Sequence, residues 1–159
     1  MDDRSRLIAW RHEMTSVHQR LRDAIAVVRE AVDDAGPDLR TVVSGDLLVY
    51  CRAFCTALDG HHRGEATALF PRLQHVHPEL AEAVGKLLQD HSMIDHLLAG
   101  LQSVLDRQDA APQQIIRHLD GIEAVMETHF RFEEKVLAQA LDELTDHTLD
   151  VRSAFGPLA

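Results

Sequence analysis

The sequence predicts an all-α protein: an up-down-up-down antiparallel four-helix bundle with a short C-terminal extension. Three observations carry this. Four long segments repeat apolar residues at steps of three and four, the period of a helix with one buried face. Hydrophobic residues make up 45% of the 159 residues and aromatic residues only 4%, which disfavours a β-sandwich. The connections are short and marked by Gly, Pro and Asp, as antiparallel neighbours require. The length fits one domain with a real core, read as a bundle over residues 1–144 and an extension over residues 145–159.

The first segment runs from Arg4 to Ala35 with the stripe Leu7, Trp10, Met14, Val17, Leu21, Ile25, Val28 and Val32. His18 follows Val17 and points to the edge of that face. Gly36-Pro37 ends the helix. Residues 36–46, GPDLRTVVSGD, admit two readings: Leu39, Val42 and Val43 extend the next helix, or the stretch is a linker with Ser44-Gly45-Asp46 as a late start signal. The second segment carries Leu47, Cys51, Phe54, Leu58, His61, Glu65 and Leu69, and Pro71 ends it. Gly60 and Gly64 flank its histidines, each costing about 1 kcal/mol of helix propensity relative to Ala. Two glycines there imply that something needs room or close backbone approach. Tyr50, on the same face, reads as core.

His77-Pro78 opens the third segment, with the proline near the first helical position. Its stripe is Leu80, Val84, Leu87, His91, Ile94, Leu98, Leu101 and Leu105, so His91 takes a leucine's place. It fades in Asp106–Ala111. The fourth segment starts at Pro112 and carries Ile115, Leu119, Ile122, Met126, His129, Glu133, Val136, Ala140 and Leu144. Beyond Thr145 a short helix is expected over His147–Ala154, after which FGPLA frays.

A net charge of −10 repels phosphate backbones and argues against nucleic acid as a partner. No apolar run has the length of a membrane span. MDDRSRLIAW has no export signal, so the protein is read as cytoplasmic. Cys51 and Cys55 lie four apart on one predicted helix, where a disulfide is geometrically poor, and read as small buried thiols.

Eleven histidines are the unusual feature. His61 with Glu65, and His129 with Glu133, stand one helical turn apart and in phase with the leucines. A register check brings them together. Glu65 and His91 lie at arm lengths from the turn near His77 that differ by about two residues, or about 3 Å. His91 and His129 are equidistant from the turn near Ala110. A carboxylate buried alone costs several kcal/mol, and two at one level repel each other. No Lys or Arg shares their stripe, so a bound cation is the economical answer. The predicted metal ligands are His18, His61, Glu65, His91, His129 and Glu133. Without a thiolate at this height a closed zinc-thiolate site is disfavoured, and two ions held by mixed imidazole and carboxylate suit iron, manganese or zinc. Bridging carboxylates leave room for an oxo or hydroxo bridge and for open positions.

Ferritin-like proteins use Glu-x-x-His on their helices, and no Glu here has His three residues later. The order H…H-x-x-x-E…H…H-x-x-x-E resembles the hemerythrin-like, or HHE cation-binding, family. GHHRGEATALFPRL, ETHFRFEEKVL and HQRLRDAI extend the resemblance over about residues 7–144. It implies the bundle fold and two iron ions, rather than manganese or zinc, on the same six ligands, with Glu65 and Glu133 as bridges. Oxygen-carrying members have a second histidine on helix three where Asp95 stands here, and His96 is turned away. The last acid comes four rather than five residues after its histidine. This matches the bacterial non-carrier type. His62 and Glu134 sit beside ligands but rotated about 100°. His12, His75, His77, His118 and His147 read as surface residues or caps.

Three functions compete. One is a di-iron protein binding dioxygen, nitric oxide or peroxide, or handling iron, in oxygen sensing or stress response. Another is an enzyme disproportionating hydrogen peroxide, for which His62 and Asp95 are the only nearby acid–base candidates. The third is a metal-free helical interaction bundle. The sequence names no protein partner.

Overall fold

The computed structural model describes residues 8–35, 46–107 and 110–159. The chain forms α1 (Trp10–Ala35), α2 (Asp46–Gly64), a π-helical turn (Glu65–Leu69), α3 (Phe70–Val76) and a 3-10 turn (Pro78–Leu80). Then follow α4 (Ala81–Asp106), α5 (Pro112–Val136), α6 (Ala138–Asp142) and α7 (Val151–Phe155). Residues 1–7 and most of the expected linker lie outside the described residues. Asp46 is the first residue of α2.

α1 packs against α2 and α5, and α4 packs against α5 and α2, so the four long helices close a ring. Ion pairs give the directions. Arg11 meets Asp142 at 3.2 Å, Arg22 meets Glu127 at 2.9 Å and Arg29 meets Glu123 at 2.5 Å. Partner numbers fall as α1 rises, so α1 and α5 are antiparallel. Asp90 facing His129, and Gly100 facing His118, give the same relation between α4 and α5. Met14, Leu21, Leu87, Ile94, Leu119 and Met126 are fully buried, as their stripes require. No helix among the described residues is long and apolar enough to cross a membrane.

The structure corrects four expectations. Pro71 does not end the second segment. The helix first widens, with Phe70 N–H bonding the Glu65 carbonyl, and continues through α3 to Val76. Proline has no N–H to donate and its ring strikes the carbonyl four residues back. A π turn at that place relieves both. The fourth segment does not run unbroken to Leu144: it breaks at Leu137, and α6 follows. The break carries neither Gly nor Pro, so no local signal marks it. Tyr50 is 42% exposed rather than core, because the buried stripe passes through its neighbour Cys51.

The fourth correction concerns FGPLA. α7 covers Val151–Phe155, not His147–Ala154, and the residues after it do not fray. Phe155 is fully buried, and Leu158 and Ala159 pack against the core. Asp150 caps α7 by accepting the Ser153 N–H at 2.9 Å.

Since Leu87 is fully buried in the core, truncating it should be costly. Leu87→Ala is expected to lower unfolding free energy by about 2–5 kcal/mol, read from urea denaturation followed by circular dichroism.

Candidate metal centre

α2 buries not one stripe but two, because it faces α1 on one side and α4 on the other. Phe54 with Cys55 and Ala57 with Leu58 are adjacent buried pairs, and Leu69 with Phe70 continues the series past α2. His61 and His62 belong to this series. His61 turns to His18 of α1, with ring centroids 5.0 Å apart. His62 turns the other way, stacked on His91 of α4 at 3.9 Å and edge-on to His129 of α5 at 5.2 Å. Glu65 is one turn beyond both and reaches between them.

Two groups of donor atoms result, each drawn together within 4.8 Å: His18, His61, Glu65 and Glu133, and His62, Glu65, His91 and His129. Glu65 belongs to both. Its Oε1 lies 2.9 Å from His61 Nε2, and its Oε2 lies 3.2 Å from His91 Nε2. Glu133 also stands between the groups, with Oε2 3.5 Å from His18 Nε2 and 3.4 Å from His129 Nε2. The structure thus brings all six sequence-predicted residues to one level. His18 is fully buried rather than at the core's edge.

The outer nitrogens fix the rings. His18 Nδ1–H donates to Glu134 Oε1 at 2.8 Å, His61 Nδ1–H to the Phe155 carbonyl at 3.0 Å, and His129 Nδ1–H to Asp90 Oδ2 at 3.2 Å. With the proton outside, Nε2 faces inward, as a metal ligand's does. Phe130 lies flat on His18, at 3.8 Å and 7°, and the Arg22 guanidinium stands 5.4 Å from the centroid of the same ring.

Whether the residues suit a cation is decided by what they lack. Among the described residues, the buried side-chain nitrogens and oxygens without a hydrogen-bond partner all belong to His62, Glu65, His91, His129 and Glu133. Such groups are rare in a folded interior, each costing about 1–3 kcal/mol. Here they point at one another. Both nitrogens of His62 are among them. With its proton on Nδ1, His61 turns Nε2 to Glu65 Oε1 at 2.9 Å and to His18 Nε2 at 3.2 Å. An ion coordinated by His61 and Glu65 would suit this pair of acceptors.

The electrostatics of the cluster without metal carry the same need for positive charge. Burial opposes charge on His18, but bonds to Glu133, Glu134 and Glu65 outweigh it and lift its pKa to about 9. Burial would also raise Glu133, yet the His18 cation holds it well below the carboxylate range. Glu65, desolvated and beside Glu133, is pushed well above that range. Burial lowers His61, His62 and His129, and takes His91 to about 3. Protons on His18 and Glu65 therefore stand in for cations.

His62 and Glu134 were the residues that single-stripe reasoning set aside. The adjacent apolar pairs along α2 were the signal for His62. Glu134 serves through His18 rather than in the cluster itself. Asp95 and His96 are exposed on α4 and stand outside the cluster. His12, His75 and His147 are exposed, and His77 and His118 half-buried. Cys51 and Cys55 are free, buried thiols, and burial pushes Cys51 up to about 12.

A helical bundle whose centre is imidazole and carboxylate is by its chemistry a cation-binding bundle. The chain matches the hemerythrin HHE cation binding domain over residues 11–151, and it belongs to that family. No curated protein and no solved structure gives a significant match.

The metal-free protein should show an optimum of stability near neutral pH. His18 has a folded pKa of about 9 against an ordinary 6.5, so its contribution is whole below pH 6.5 and is lost as pH rises through 9. The loss is at most about 3 kcal/mol. His91, lowered to about 3, acts oppositely: its contribution is whole above pH 6.5 and falls toward pH 3. Denaturation of metal-free protein across this range, with His18→Gln removing the His18 share of the alkaline loss beside that of Glu65, is the measurement.

Proposed function

We propose that the protein holds two iron ions in the middle of its bundle and binds a small molecule there: dioxygen, nitric oxide or peroxide. The observation that carries this reading is the convergence of the partnerless buried donors on one point. His18, His61, Glu65 and Glu133 would hold one ion, and His62, Glu65, His91 and His129 the other. Glu65, with its oxygens turned to different histidines, is placed to bridge, and so is Glu133. The set lacks thiolate and is rich in imidazole, which favours iron over a closed zinc site. Bound iron would supply redox change and open coordination positions. Five imidazoles and two carboxylates cannot fill two six-coordinate shells, so space for a small ligand remains. Buried walls on every side exclude anything large. Free, buried Cys51 and Cys55 fit a reducing cytoplasm.

A second reading, peroxide disproportionation, draws on Glu134 and Asp90. Their side chains are 27% and 23% exposed, and each accepts from a site histidine. A proton can pass by them between solvent and the rings of His18 and His129.

Metal analysis of freshly purified protein is expected to give two irons per chain. His62→Ala should reduce this toward one with helical content unchanged. A folded protein without metal would leave only the interaction bundle. Oxygen evolution on adding peroxide would decide for turnover over binding.

A further inference from the structure

The segment Val151–Ala159 lies across α2, the π turn and α1 at the height of the centre. Three glycines make room for it. A Cβ on Gly64 would stand 2.7 Å from the Ser153 carbonyl oxygen, and one on Gly60 would stand 2.8 Å from Pro157 Cδ. Gly156, at φ 86°, would place a Cβ 2.7 Å from the Gly60 carbonyl carbon. Two backbones therefore touch with no side chain between them. Gly85 of α4, by contrast, has nothing within 4 Å of its Cβ position.

The contact is directed at one ligand. The Phe155 carbonyl accepts the His61 Nδ1–H at 3.0 Å, and the Phe155 ring stacks near His61 with centroids 6.2 Å apart. The same ring leans on Trp10 at 6.1 Å, and Arg20 of α1 donates to the Leu158 carbonyl. His18 and His129 have carboxylates from the long helices for this purpose. His61 alone of the three depends on a backbone carbonyl from outside the four long helices.

We propose that Val151–Ala159 is a latch: the Phe155 carbonyl is the positioning group for His61, and the latch governs release of the ion held by His18 and His61. The proposal rests on the di-iron reading for its second half only. With the Nδ1 proton fixed on the carbonyl, Nε2 must present its lone pair inward. With the segment displaced, the ring is free to turn or to change tautomer, and one ion loses a donor.

The test compares full-length Gly64→Ala and Phe155→Ala with wild type, using Gly85→Ala as the control glycine substitution. Circular dichroism establishes that each is folded, and cleavage after Arg152 by trypsin reports displacement of the segment. In metal-free protein, 15N imidazole spectra should show the His61 Nδ1–H in wild type and Gly85→Ala and its loss in the other two. In loaded protein, a ferrous chelator should remove one of the two irons about 10–100 times faster from Gly64→Ala and Phe155→Ala. Folded variants with the segment displaced, but with the His61 signal or the release rates of wild type, would overturn the proposal. A wild-type chain that takes up no iron would instead sink the di-iron reading, and the His61 tautomer would then decide the latch. If Gly64→Ala does not fold, Phe155→Ala carries the comparison.

Discussion

Two carboxylates stand fully buried in the middle of this apolar bundle, and the surrounding structure is organised around their charge. Desolvating Glu65 and Glu133 costs several kcal/mol each, and their proximity adds to it. The four long helices contribute histidines toward the pair, and a second layer of Glu134, Asp90 and the Phe155 carbonyl turns three of the rings so that a lone pair faces inward. Leucines and valines above and below keep water out, which strengthens every electrostatic term within. Without metal, protons on His18 and Glu65 neutralise the cluster; with metal, ions would do so through better geometry.

The π turn ties local chemistry to this arrangement. Pro71 cannot continue an ordinary helix, and widening the turn at Glu65–Leu69 keeps the segment helical past it. The widening also brings Phe70 inward, where it stacks near His91 at 5.7 Å. A proline that reads as a stop is thus the reason for a local geometry beside the site. Unusual helical turns of this kind recur near functional centres.

Most of the centre was legible because six residues keep helical step with apolar neighbours. His91 follows Leu87 as Leu98 follows Ile94, and His129 and Glu133 extend the line from Met126. What stayed hidden did so for identifiable reasons. His62 lies about 100° off the single stripe that the periodicity marks, whereas the neighbours of α2 on two sides demand a pair of stripes. The role of Val151–Ala159 has no side-chain signature, since a main-chain carbonyl does the bonding. Gly60 and Gly64 did announce a close backbone approach, but nothing local says which segment approaches. The break at Leu137 carries no marker at all.

The burial of the cluster is uneven. His18, His61, Glu65 and Glu133 are at 0% exposure, whereas His91 reaches 6% beside the part-open Asp90. The centre thus has a front and a back. A small molecule approaching from the α4 side would meet the half built by His62, His91 and His129 before the other. Identical ions placed in these two seats would not be equivalent, one lying nearer to water and the other deeper in the bundle.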